Sequence, residues 1–121
     1  MTWLRGKLEV ERSEREEPKA VIYHLKGSLI DSRECYDLLE DVREEIRTGY
    51  KDFVLDLEGV KRVTSAGVGL LAACYTSVTR AKGRLHVSGV STETRMLLEL
   101  VNLWSYIKDF DTAEEAHAAM A

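Results

Sequence analysis

The segment Phe53-Val54-Leu55-Asp56-Leu57 is a near-continuous apolar run of strand length. It does not alternate, so a strand built from it has to be covered on both faces, which makes it the expected central strand of a layered fold. The flanking sequence supplies the covering layers. From Asp31 onward, Cys35, Leu38, Leu39, Val42 and Ile46 fall at spacings of three and four, the pattern of an amphipathic helix. Asp31 and Glu34 predict a capping box at its start, and Gly49 predicts its stop. After a predicted turn over Glu58 to Arg62, Leu71, Ala72, Tyr75 and Val78 repeat at helical spacing. This second helix is expected to begin near Ser65 and to end at Lys82-Gly83.

The outer segments complete the order. Lys7 to Arg12 alternates apolar and charged residues, as an edge strand does, and Ala20 to Lys26 alternates again after a charged connection that holds the only proline, Pro18. Arg84 to Ser88 reads as a further strand. Ser91-Thr92 opens a third helix with the stripe Leu97, Leu100, Val101 and Trp104, and Tyr106 to Phe110 reads as a short last strand. Asp111-Thr112-Ala113-Glu114 repeats the capping pattern ahead of an alanine-rich terminal helix. The order β-β-α-β-α-β-α-β-α predicts one α/β domain over residues 1–121, an open mixed sheet of four to five strands packed with three to four helices.

Composition narrows the function. With 121 residues, 45% hydrophobic and 31% charged, the chain has material for one core, and its formal charge of −4 includes no run of Lys or Arg. Nucleic acid is therefore not expected as a partner. No stretch approaches the ~20 apolar residues that cross a bilayer and the start lacks a signal-peptide core, so the expectation is a soluble, cytoplasmic protein with no membrane partner. Cys35 and Cys74 show no metal or disulfide spacing and read as small core residues. His24, His86 and His117 have no ligand spacing, no glycine-rich nucleotide motif is present, and Asp56 has no second carboxylate at a defined spacing. No metal, cofactor or catalytic residue is expected, and Asp56 reads as a turn cap or ion-pair partner.

The stretch from Phe53 to Gly69 resembles the STAS domain of the anti-sigma factor antagonists. That family carries an apolar strand ending in Asp-Leu, a short turn, and Asp-Ser-Ser-Gly-Leu-Gly opening a helix. Here the matching residues are Asp56-Leu57 and Thr64-Ser65-Ala66-Gly67-Val68-Gly69. Lys82-Gly83-Arg84-Leu85 and Arg95-Met96-Leu97-Leu98-Glu99-Leu100 resemble later parts of the family. The resemblance implies a binding protein, not an enzyme, whose partner is an anti-sigma factor that is itself a serine kinase. It further implies phosphorylation at Ser65, release of the kinase in the phospho form, and a separate phosphatase, of PP2C type, that resets the switch. The expected partner contact comprises Thr64, Ser65, Ala66, Gly67 and Val68, with Asp31 close by.

The chain departs from the pattern at two places. Thr64 stands where the family has aspartate, and Ala66 where it has a second serine. The family's Gly-x-Leu-Asp segment reads Gly27-Ser28-Leu29-Ile30, with the acid delayed to Asp31. An alternative is thus a non-phosphorylated STAS scaffold or an accessory module of a stressosome or transporter system. Two structural readings also stand: Ser65 as a simple helix N-cap, and Gly67 and Gly69 as close-packing glycines.

Overall fold

The computed structural model describes residues 8–121, for Trp104 the backbone alone. Its elements are β1 (Leu8–Arg15), β2 (Ala20–Leu29), α1 (Arg33–Arg47), β3 (Asp52–Val63), α2 (Ser65–Arg80), β4 (Arg84–Ser88), α3 (Thr92–Leu100), a 3-10 turn (Leu103–Ser105), β5 (Lys108–Phe110) and α4 (Ala113–Ala118). The expected order is therefore met, with Lys7 of the first strand outside the described residues. The five strands lie in the order β1-β2-β3-β4-β5. β1 pairs antiparallel with β2, and every other pair is parallel.

Sequential strand order and right-handed crossovers put α1, α2 and α3 on one side of the sheet. Between them and the sheet lies the larger core, with Tyr23, Leu25, Phe53, Leu55, Leu57, Leu71 and Val78 buried. The alternate residues face the other way: Ala20, Ile22 and Val54 pack on Ala113, Ala116 and Met120 of the chain end carrying α4. This two-sided cover is why Phe53 to Leu57 is nearly unbroken in its apolar character. Cys35 and Cys74 are buried free thiols, as expected.

Four expectations change. Glu58 to Val63 is not a turn but the continuation of β3, paired with Lys26 to Leu29 of β2. β4 reaches only as far as Asp56, so the second half of β3 has one neighbour and tolerates charge; its polarity imitates a turn. The α1 cap is Ser32 and not Asp31: Ser32 has the extended backbone of a cap, and its hydroxyl accepts from the Cys35 amide at 3.3 Å. At α4 the capping box is formed by Thr112 and Glu115. In α3, Leu98 and Thr94 are buried whereas Leu100 and Val101 are exposed, so the inner stripe is rotated from the expected one.

Candidate functional site

α2 starts where β3 leaves the sheet. Leu29 lies opposite Val63, and its carbonyl accepts the Thr64 amide at 3.0 Å and the Thr64 hydroxyl at 3.4 Å. Thr64 has extended backbone and its hydroxyl accepts from the Gly67 amide at 3.4 Å, so Thr64 is the helix cap. The alternative reading of Ser65 as a simple helix N-cap is not met, since Ser65 is the first helical residue. Its side chain is exposed and makes no hydrogen bond among the described residues. Thr64 stands where the resembled pattern has aspartate, and its hydroxyl oxygen caps the helix here.

The two glycines separate. A β-carbon on Gly67 would lie 2.1 Å from the Leu29 carbonyl oxygen, so close packing explains it. Gly69 has nothing within 4 Å of that position and faces solvent, so packing does not. Beside it, between α1 and α2, is a hollow of about 220 Å³ bounded by Asp31, Tyr36, Leu39, Ala66, Gly69 and Leu70. Its walls are mostly apolar. At the rim the Tyr36 hydroxyl donates to Asp31 at 3.0 Å, and that bond raises the phenol's pKa above its ordinary value.

The expected site residues thus gather at one corner. Asp31, Ser65 and Ala66 are exposed and Thr64 is half-buried, while Gly67 and Val68 are buried and support the surface from beneath. Tyr36, exposed on α1 next to buried Cys35, was missed; an aromatic lying off the apolar stripe of an amphipathic helix was its signal. Electrostatically the corner has the free amides and partial positive charge of the α2 start, which tolerate an added anion.

A second polar group lies on the opposite face of the sheet. His24 Nδ1 is 2.8 Å from Asp56 Oδ2, and Asp56 Oδ1 accepts the Glu58 amide at 3.1 Å. Asp56 thus partners His24, as a pairing role would have it, but the Glu58 amide it accepts from lies in β3 and not in the expected turn. Among the described residues no group of three or more His, Cys, Asp or Glu is arranged to hold a metal ion. No described helix is long and apolar enough to cross a membrane.

Residues 10–116 match the family model of the STAS domain. No curated protein sequence matches the chain. Among solved structures, an anti-sigma factor antagonist from Mycobacterium paratuberculosis superposes with a TM-score of 0.78 at 20% identity, covering 93% of each chain. The Bacillus cell fate determinant SpoIIAA, an anti-sigma factor antagonist, in its unphosphorylated form gives 0.76 at 20% identity, over 94% of this chain and 96% of that one. A sulfate transporter family protein from Wolinella succinogenes gives 0.67 at 19% identity, over 83% of each chain. At these identities the likeness is one of fold.

Proposed function

The chain belongs to the STAS domain family, and from that premise we propose that it is an anti-sigma factor antagonist switched by phosphorylation of Ser65. Its partner on this reading is an anti-sigma factor with serine kinase activity, docked over Ser65, Ala66 and the hollow between α1 and α2. A phosphatase of PP2C type reverses the modification. The observation that carries the proposal is the division of labour between neighbours: Thr64 caps α2, which leaves the exposed Ser65 hydroxyl without a structural task.

The physics of the switch is exclusion. A phosphate adds about −1.5 to −2 charge, which the start of a helix accepts with little strain on the fold. A partner seated on the small Ala66 surface would have to cover that hydrated anion, and burying an unpaired charge costs several kcal/mol. A loss of even ~3 kcal/mol weakens binding by a factor of about 150. The chain then works as a binding module and needs no catalytic base beside Ser65.

A second reading is supported by Thr64 and Ala66, which replace acid and hydroxyl next to the acceptor, and by the likeness to a transporter-family structure. On that reading the same corner makes a constitutive contact in a scaffold or transporter system. One experiment separates the two. The chain, Ser65→Ala and Ser65→Glu are titrated by calorimetry against an anti-sigma kinase from the same genome, and phosphate is mapped by mass spectrometry after incubation with ATP. Phosphate on Ser65, with Ser65→Ala binding and Ser65→Glu weakened, supports the switch. Equal affinity of both variants, or phosphate only elsewhere, rejects it.

A further inference from the structure

We propose that α4 is a proton-released cover: uptake of a proton by His86 frees the helix from the sheet and bares Ala20, Ile22 and Val54, while α1, α2 and the Ser65 corner stay folded. His86 on β4 lies beneath α4, 4% exposed, and its Nδ1 is 2.9 Å from the Ala116 carbonyl oxygen. A carbonyl only accepts, so Nδ1 carries the hydrogen and the neutral ring keeps its lone pair on Nε2. A second proton therefore goes to Nε2, and the bond to Ala116 survives it. What changes is charge: the imidazolium is enclosed under the helix, and lifting the helix returns it to water.

The surroundings of the ring oppose that cation. In register, His86 stands opposite Val54 of β3 and Lys108 of β5. Arg84, two residues earlier on β4, donates to the Met120 carbonyl at 2.7 Å and pairs at 2.9 Å with Asp52 of β3, the carboxylate that attracts the imidazolium. On α4, Glu114 pairs with Arg15 and Glu115 serves the helix cap. The Phe110 ring, 5.0 Å away, brings no charge, and Tyr75 and Tyr106 bound a hollow of about 170 Å³ that reaches His86 from the sheet edge. Burial accordingly lowers the ring's pKa, Lys108 and Arg84 add to that, and the bond to Ala116 opposes it. His117 differs: its Nε2 donates to the Pro18 carbonyl at 2.8 Å, but the ring is half-buried in the last turn of α4, where positive charge is favoured. α4 is the part that gives. It has six residues and buries Ala113 and Ala116, with Met120 just beyond. A helix this short does not persist in water, so release and unravelling are one local event that leaves the strands paired. The released ring titrates near 6.5 and the covered ring lower, so docking is complete above about pH 6.5 and weakens as the pH falls toward the covered value.

The test is amide hydrogen exchange of the full chain, read residue by residue by NMR and divided by the intrinsic rate at each pH. The amides of Ala116 and Ala119 are bonded to Thr112 and Glu115 and report the opening of α4. Between pH 7.5 and 5.5 their opening constant should rise severalfold, with a ceiling of about tenfold set by a released ring titrating near 6.5. It should respond little to low urea, unlike that of the Val54 and Leu55 amides in β3. His86→Asn, whose amide donates from the place of Nδ1 and takes up no proton, should show no rise. Lys108→Gln, which removes the facing cation, should show a smaller one, and His117→Asn should keep it. An opening constant independent of pH overturns the proposal, as does an equal rise in His86→Asn or α4 exchange that climbs with urea as steeply as that of β3. Lys108→Gln, at an exposed position, keeps the outcome decisive should His86→Asn fold poorly.

Discussion

Gly67 sits so close to Leu29 that a β-carbon on it would lie 2.1 Å from the Leu29 carbonyl oxygen, a distance no pair of these atoms sustains. The same carbonyl accepts both the amide and the hydroxyl of Thr64. The end of β2 and the start of α2 are thereby joined at one point, and Ser65 faces outward as a result. Gly67→Ala is expected to push α2 off β2 and to destabilise the fold by about 1–3 kcal/mol, as overpacking does. Gly69→Ala, with open space around it, should stabilise by about 0.5–1 kcal/mol through helix propensity. Urea unfolding of the two variants checks the contrast; equal effects would remove the Leu29 contact as the cause.

Thr64 and Ser65 should differ in the same way. Removing the cap in Thr64→Ala is expected to cost about 1 kcal/mol. Ser65→Ala should be close to neutral, and Ser65→Glu should gain up to about 1 kcal/mol from the helix dipole. Thermal unfolding reads all three. A large loss in Ser65→Ala would show that the serine hydroxyl has a structural bond after all.

Burial lowers the His86 pKa below its ordinary value, against the opposing effect of its hydrogen bond to the Ala116 carbonyl at 2.9 Å. The folded protein therefore holds this imidazole neutral at pH values where the unfolded chain, titrating near 6.5, has begun to take up a proton. Its contribution to stability is complete above about pH 6.5 and is lost as the pH falls through the lower folded value. Stability measured from pH 7.5 down to 5 should decline, and the slope should shrink in His86→Leu. An unchanged slope would assign the decline to other groups. Glu114, held low by Arg15, loses its contribution in a separate window below the ordinary carboxylate value.

Burial pushes the Cys74 thiol up to about 12, so almost no thiolate exists at neutral pH in the folded protein. A thiol reagent added at pH 8 should label Cys74 at a rate that follows global unfolding and rises with denaturant. Fast labelling of Cys74 in the folded protein would contradict the packing of α2 against the sheet.

Much of this architecture was legible in the chain because periodicity records burial. The unbroken run at Phe53 to Leu57 marked a strand covered twice, and the spacing of Cys35, Leu38, Leu39 and Val42 marked the inner stripe of α1. Where periodicity is silent, the reading went astray. The second half of β3 looked like a turn because a strand with one neighbour carries polar residues. The α3 stripe was misjudged because Leu97, Leu100 and Val101 are apolar yet differ in exposure, and only the docking of α3 selects the inner ones.

The candidate site divides along the same line. Residue order alone determined that Thr64, Ser65, Ala66 and Gly67 would open a helix after a core strand, since caps, glycines and apolar runs are local signals. Tertiary structure decided which hydroxyl is occupied, because the cap depends on Thr64 meeting the Leu29 carbonyl 35 residues away. It also decided the hollow bounded by Ala66 and Gly69 of α2 and Tyr36 of α1, and the acidic face of Glu9, Glu11, Asp56 and Glu58 across the sheet. Both surfaces are made by residues from separate elements, and no spacing within one segment encodes how distant side chains come to share a face.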